Sequence, residues 1–158
     1  MKDNIDLRKR IALEILYHSL INTESSFLYK EIVKDGLAYN LYGFLTHYNG
    51  VSLIVLGAFS SNQEKILQKL SSLTKNFSKI FDKKAFDLFK ESYLNRIETD
   101  IATGDIVDFL ANEIAVFGNY YKPNEILNYI SKIKREDIER VYFEIIKNGS
   151  WLFFYYKD

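Results

Sequence analysis

Leu41-Tyr42-Gly43-Phe44-Leu45-Thr46-His47-Tyr48-Asn49-Gly50-Val51-Ser52-Leu53-Ile54-Val55-Leu56-Gly57-Ala58-Phe59 is the stretch whose reading decides the fold. It is dense in aromatic and β-branched residues, which suit a pleated surface. Asn49-Gly50 divides it. Both residues tolerate positive φ, so the pair favours a two-residue type I′ turn. The spacing predicts one strand from Leu37 to Tyr48 and a second from Val51 to Phe59. That loop sets the register. Tyr48 faces Val51, Thr46 faces Leu53, Phe44 faces Val55 and Tyr42 faces Gly57, while Leu41, Gly43 and Leu45 oppose Ala58, Leu56 and Ile54 on the other face. Gly43 and Gly57 inside strands signal bends or close backbone approach. Both faces are largely apolar, so both are expected to be covered.

Helical patterns flank this hairpin. Leu7, Ile11, Ile15, Leu16 and Leu20 recur at helical spacing behind Asp6, a residue suited to an N-cap. Ser25 or Ser26 can open a short second helix through Phe27, Leu28 and Ile32 that Gly36 closes in a left-handed conformation. After the hairpin, Ser61-Asn62-Gln63-Glu64 reads as a capping box before Ile66, Leu67, Leu70, Leu73 and Phe77. Asp82 can cap a long helix carrying Phe86, Phe89, Tyr93, Ile97 and Ile101. Thr103-Gly104-Asp105 breaks it, and Asp105 starts a helix through Phe109, Leu110 and Phe117 that ends at Gly118. Pro123 suits the first turn of a helix reaching Ser131. Arg135 to Lys147 reads as a last helix with Ile138, Val141 and Ile145 inward. Asn148-Gly149 then turns into a final strand, Ser150 to Tyr156. The order is α+β: a small antiparallel sheet, hairpin plus C-terminal strand, backed by helices on one face. A split β-α-β-β-α-β unit needs one more strand before the first helix. Residues 1–158 therefore read as a single domain lacking its first strand, and as part of a longer chain or of a complex.

Composition narrows the function classes. The chain has 158 residues, a formal net charge of zero and a pI near 6.7. That balance argues against nucleic acid as a partner. There is no Cys, so disulfides, thiolate metal sites and Cys nucleophiles are excluded. His18 and His47 are the two histidines, too few for much metal chemistry. No apolar run approaches the ~18–20 residues that span a bilayer, and the first residues turn polar where a signal peptide turns apolar. The expected location is cytoplasmic. Lys83-Lys84 and Lys132 to Arg135 are short basic patches among acidic residues and read as solvated faces. Asp105, Asp108 and Glu113 read as helix capping and surface. No phosphate loop, carboxylate dyad or Ser/His/Asp set is present.

Several pieces carry a resemblance. Asp6 to Leu20 is followed by Ser26-Phe27-Leu28-Tyr29-Lys30-Glu31-Ile32 and Gly36-Leu37-Ala38-Tyr39. A helix around Phe86 to Thr99 carries Glu98-Thr99-Asp100 at its end, and Ile133-Lys134-Arg135-Glu136-Asp137-Ile138 with Val141 comes near the end of the chain. In that order and spacing they resemble the pitrilysin/insulinase-type zinc metallopeptidases, which include the mitochondrial processing peptidases. The resemblance implies homologous α+β domains paired around an enclosed chamber. It implies a catalytic half with H-x-x-E-H, whose two His bind zinc and whose Glu activates water. Here His18 precedes Ser19-Leu20-Ile21-Asn22, and His47 precedes Tyr48-Asn49-Gly50-Val51, so the motif is absent. The resemblance is therefore to a non-catalytic domain of the C-terminal half. No metal site is expected in this chain, and zinc is expected in a partner catalytic domain, in the same chain or a separate subunit.

The resemblance also implies a site. The Tyr of G-L-A-Y, Tyr39 here, would reach the substrate and donate to a carbonyl or oxyanion. The family's companion arginine has no counterpart, since Val33 and Ile32 stand where it would fall. Tyr42 and Phe44, with Tyr48 and Phe59, would line a chamber wall for an extended peptide, which adds to a sheet edge. His47 beside the turn is expected to be exposed and without chemistry, and His18 to cap or pack the end of its helix. In the last strand Trp151, Phe153 and Tyr155 alternate with Leu152, Phe154 and Tyr156, one face core and the other exposed or docked. The expected function is thus to complete the chamber of a zinc metallopeptidase and help bind extended peptide. The alternative is a free-standing α+β interaction module without enzymatic activity, a homodimer through the hairpin or last strand.

Overall fold

In the computed structural model the described residues are 6–21, 24–48, 51–72, 77–150 and 152. The chain is α+β. Among these residues the sheet is a single antiparallel pair, β1 (Asn40–Tyr48) and β2 (Val51–Phe59). Its register runs from Asn40 opposite Phe59 to Tyr48 opposite Val51, as the two-residue loop requires. The first strand begins at Asn40 and not at Leu37. Leu37 and Ala38 instead turn back, both donating backbone N–H groups to the Ile32 carbonyl. The strand expected at Ser150 to Tyr156, with its alternating aromatic residues, lies largely outside the described residues, and Ser150 and Leu152 are not in a strand.

Seven α-helices surround the hairpin among the described residues: α1 (Leu7–Ile21), α2 (Gln63–Ser72), α3 (Phe77–Ile80), α4 (Lys83–Thr103), α5 (Ile106–Asn112), α6 (Pro123–Lys132) and α7 (Arg135–Val141). Three wider π-helical turns occur as well, Tyr29–Lys34, Glu113–Phe117 and Tyr142–Lys147. The last two continue α5 and α7, and the first replaces the regular second helix expected from the sequence. Asp82 caps α4 as expected, accepting from Ala85 N at 2.7 Å. Gly104 (φ 88°) and Gly118 (φ 68°) close α4 and the α5 extension in the left-handed region. Two caps differ. Ser60, not Ser61, meets the start of α2, its Oγ accepting from Asn62 N at 2.7 Å. The Asp105 side chain accepts from the Thr103 hydroxyl at 2.8 Å and makes no cap bond.

The core forms around α1. Leu7, Ile11, Ala12, Leu13, Ile15, Leu16 and Leu20 are all buried, so this helix is wrapped rather than laid on a surface. α7, α4, α6 and β1 pack round it. A helix that is apolar on most sides belongs inside a domain, not on its rim. Phe81, Phe89, Tyr93, Ile97, Ile126, Ile130, Ile138, Val141 and Tyr142 complete the core. The basic patch near Ile133 is partly structural rather than a solvated face. Lys90 Nζ donates to the carbonyls of Ser131 (2.7 Å) and Ile133 (2.8 Å), at the C-terminal end of α6, and Arg135 Nε donates to the Phe81 carbonyl at 3.1 Å.

Candidate functional site

The hairpin has two unlike faces. Leu41, Leu45, Ile54, Leu56 and Ala58 pack against the core. The opposite face, Asn40, Tyr42, Phe44 and Thr46 from β1 with Val51, Leu53 and Phe59 from β2, is exposed. The expectation that both faces are covered is therefore corrected: among the described residues, helices cover one side only. About half the surface of Tyr42, Phe44 and Leu53 remains open, and about two thirds of Phe59.

Local packing shapes this face. Tyr42 lies across Gly57, its partner on β2. A Cβ added at Gly57 would overlap the Tyr42 ring, with the hydroxyl oxygen 2.5 Å away. The absent side chain thus gives the phenol a bed, and the ring reaches Phe59 at 5.5 Å between centroids. Gly43 serves the other side. A Cβ there would meet the Val55 carbonyl oxygen, and it would lie 2.6 Å from Ile21 Cδ1 at the end of α1. Tyr17 from α1 donates its hydroxyl to the Gly43 carbonyl at 2.7 Å, tying helix to strand.

Of the three residues singled out from sequence, Tyr42 and Phe44 share the exposed face. Tyr39 stands apart in the bend before β1, 90% exposed, its N–H donating to the Phe59 carbonyl at 3.1 Å. Leu53 and Phe59 complete the surface. Phe59 belongs to the row expected from sequence, and strand alternation alone is enough to add Leu53. Lys69 of α2 bridges Glu31 (2.7 Å) and Asp35 (3.3 Å) and fastens α2 to the turn that carries Gly36.

A second polar centre lies under the far end of the hairpin, and sequence reasoning missed it. Arg10 of α1 and Glu113 are both buried and form a two-pronged ion pair, with Arg10 Nη1 donating to Glu113 Oε1 at 2.6 Å. The guanidinium carbon lies 3.6 Å from the centre of the Phe117 ring. His47 meets the same ring edge-on at 5.8 Å, and its Nδ1 is 2.9 Å from Ser52 Oγ. Burial, and then the nearby Arg10 charge, push the His47 imidazole down to about 4. It is half-buried and not exposed, which corrects the expectation. Burial pushes the Glu113 carboxyl up, and the Arg10 guanidinium beside it pulls the other way. One signal was available in sequence: Arg10 falls three residues after Leu7, at helical spacing on the side of a helix that proves to be central. His18 behaves as expected near the end of α1. Arg96 donates to its Nε2 at 2.8 Å, and Tyr17 and Tyr93 flank its ring.

The family model described as Peptidase M16 inactive domain matches residues 2–98. The chain belongs to the Peptidase M16 inactive-domain family. The fold of this M16 inactive domain is also found in solved structures. An inferred zinc protease from Bordetella pertussis Tohama I superposes with a TM-score of 0.74 at 21% sequence identity, covering 88% of this chain and 79% of that one. The inactive peptidase domain of an inferred zinc protease from Bordetella parapertussis gives 0.72 at 18%, covering 88% and 78%. No curated protein matches the chain.

The donors present do not suit the zinc associated with this family. Arg96 donates to His18 Nε2, while His47 belongs to the Ser52–Phe117 environment. Among the described residues no three His, Asp or Glu side chains converge as a metal site would require. These residues do not fit a catalytic zinc. Nor, among the described residues, is any helix long and apolar enough to cross a membrane.

Proposed function

We propose that this M16 inactive domain completes the substrate chamber of a zinc metallopeptidase, beside a catalytic domain that supplies H-x-x-E-H and the metal. In this reading the open hairpin face holds an extended peptide, with Tyr42 and Phe44 as its floor. Tyr39 stands at the rim, where its phenol can donate to a substrate carbonyl. The observation that carries the reading is the bare aromatic face on a domain of this family. A peptide lying across that face would cover Tyr42, Phe44, Leu53 and Phe59, apolar surface that is otherwise open to water. The paired catalytic domain belongs to the same chain or to a separate subunit in the cytoplasm.

The test is reconstitution with the catalytic M16 domain of the same assembly. The expected result is a complex on size-exclusion chromatography that cleaves peptide, with no cleavage by this chain alone. Phe44→Ser should lower kcat/KM by roughly tenfold, through loss of an aromatic contact worth on the order of 1–1.5 kcal/mol. Tyr39→Phe should lower kcat if the phenol stabilises developing charge. Hydrolysis by the isolated chain that a chelator abolishes would overturn the non-catalytic assignment. Unchanged turnover in both variants would remove the hairpin face from the substrate path.

A further inference from the structure

Two basic stretches that read as solvated faces in sequence, Lys83-Lys84 and Lys132 to Arg135, come together in the fold. Lys83 of the first and Lys132, Lys134 and Arg135 of the second line one open cleft of about 900 Å³, between the first turns of α4 and the link from α6 to α7. Arg8 and Lys90 line it too, so six cations share it with three carboxylates, on a chain whose net charge is zero. Three of the cations are engaged in holding its shape. Lys90 Nζ donates to the Ser131 and Ile133 carbonyls, and Arg8 Nη2 pairs with Asp137 at 2.8 Å. Arg135 lies over the Phe77 ring at 4.9 Å while its Nε donates to the Phe81 carbonyl. Of the carboxylates, Asp82 caps α4, and Asp87 lies one helical turn before Lys90, within reach of its charge. The other three cations, Lys83, Lys132 and Lys134, are exposed and form no ion pair among the described residues. Ile133, buried in the link between Lys132 and Lys134, anchors the segment that presents them.

We infer that this cleft binds an acidic segment of another polypeptide, one with two or three Asp or Glu around an apolar residue. Low-dielectric walls focus the field of like charges into a concave site, and here the sign is positive. The free lysines stand on both walls, Lys83 on α4 and Lys132 and Lys134 across from it, so carboxylates spaced along a chain meet them together where a single carboxylate cannot. Phe86 and Ile133 add apolar lining for a side chain between the acids. The cations left free are lysines, which act as point charges. The guanidinium forks best suited to gripping phosphate, Arg8 and Arg135, are held by Asp137 and by Phe81 and Phe77. The pinned Lys90 and Arg135 make the cleft ready before the segment arrives, which lowers the cost of binding. None of its lining residues belongs to β1 or β2, so the inference stands apart from the peptide-holding reading of the hairpin.

The experiment uses the chain and labelled probes of about nine residues, read by fluorescence anisotropy at about 0.05 M and 0.15 M salt. One peptide carries Asp and Glu around a central Leu, the second has Asn and Gln in their place, and the third probe is an oligothymidylate. The acidic peptide should bind at least roughly tenfold more tightly than its amide version, and more tightly at the lower salt. Lys132→Glu with Lys134→Glu should weaken it roughly tenfold or more, and Lys132→Arg with Lys134→Arg should retain it. Lys30→Glu with Lys65→Glu makes the same change of charge at exposed sites outside the cleft and should alter binding by less than about twofold. Equal binding of the acidic and amide peptides would overturn the inference. Equal losses in the two Glu pairs would reduce it to a general attraction and refute the cleft. Tighter binding of the oligothymidylate, lost with Lys132→Glu and Lys134→Glu, would hand the cleft to nucleic acid instead. Affinity weaker than about 1 mM for every probe would return the three lysines to a solvated face and end the proposal.

Discussion

Gly43→Ala tests how the hairpin is seated. Replacing glycine by alanine in a strand ordinarily stabilises, by about 0.4–1 kcal/mol, because the unfolded chain loses freedom. At Gly43 the added methyl would run into the Val55 carbonyl oxygen and lie 2.6 Å from Ile21 Cδ1, with Leu56 Cδ2 at 3.4 Å. The Val55 oxygen belongs to the paired strand and cannot swing away. Relief requires the strands to part or the end of α1 to move, which also strains the Tyr17 hydroxyl bond to Gly43. Overpacking of this kind costs about 1–3 kcal/mol, and the lost hydrogen bond about 1 kcal/mol more. Net destabilisation of about 2–3 kcal/mol should appear in urea unfolding, with Tm lower by roughly 5–10 °C. Gly57→Ala is the companion. There the three nearest atoms to the methyl all belong to the outer end of the Tyr42 ring, which can turn into solvent. Its cost should be about 1 kcal/mol or less, with loss of the Tyr42–Phe59 contact in near-UV circular dichroism. If Gly43→Ala is neutral or stabilising, the close approach of α1 to the hairpin is not what holds Gly43 as glycine.

Three further outcomes are expected. Glu113→Leu leaves Arg10 buried without its partner and should cost about 3–5 kcal/mol in chemical denaturation, whereas Arg10→Met combined with Glu113→Leu should recover most of it; an unaffected single variant would refute the buried pair. His47 has its folded-state affinity for protons lowered to about 4, so the unfolded chain, with its imidazole near 6.5, binds more protons between these values. Its contribution to stability should be full above about pH 6.5 and fall away toward pH 4, and urea midpoints for His47→Gln should show a flatter dependence over that window. Asp82→Ala should cost about 1 kcal/mol by urea titration through loss of the α4 cap and Asp82→Asn very little, so equal losses in both would deny the cap its role.

Much of the fold was legible because it depends on local chemistry. Asn49-Gly50 determined the strand register down to each pair, since only one register suits a two-residue turn between these strands. Asp82, Gly104 and Gly118 marked helix ends for reasons confined to a few residues. The aromatic residues of the candidate site, Tyr42 and Phe44, came from alternation within one strand. Tyr39 came from the likeness of Gly36-Leu37-Ala38-Tyr39 to a family motif, and it stands exposed in the bend before β1.

What stayed hidden depends on distance in three dimensions. Glu113 reads as surface acid because nothing near it in sequence is a base, and Arg10 lies 103 positions away. His47 reads as exposed because it adjoins a turn, yet Phe117 and Arg10 arrive from other elements to bury it. The apolar content of both strand faces is plain, but which face the helices cover depends on where α1 docks. The sequence by itself therefore determined the hairpin, the ends marked by Asp82, Gly104 and Gly118, and the family, each written in residues close together or in an ordered pattern. Only the tertiary structure decided which charges are buried and which aromatic face is left open, because burial is a property of what comes to lie alongside from the rest of the chain.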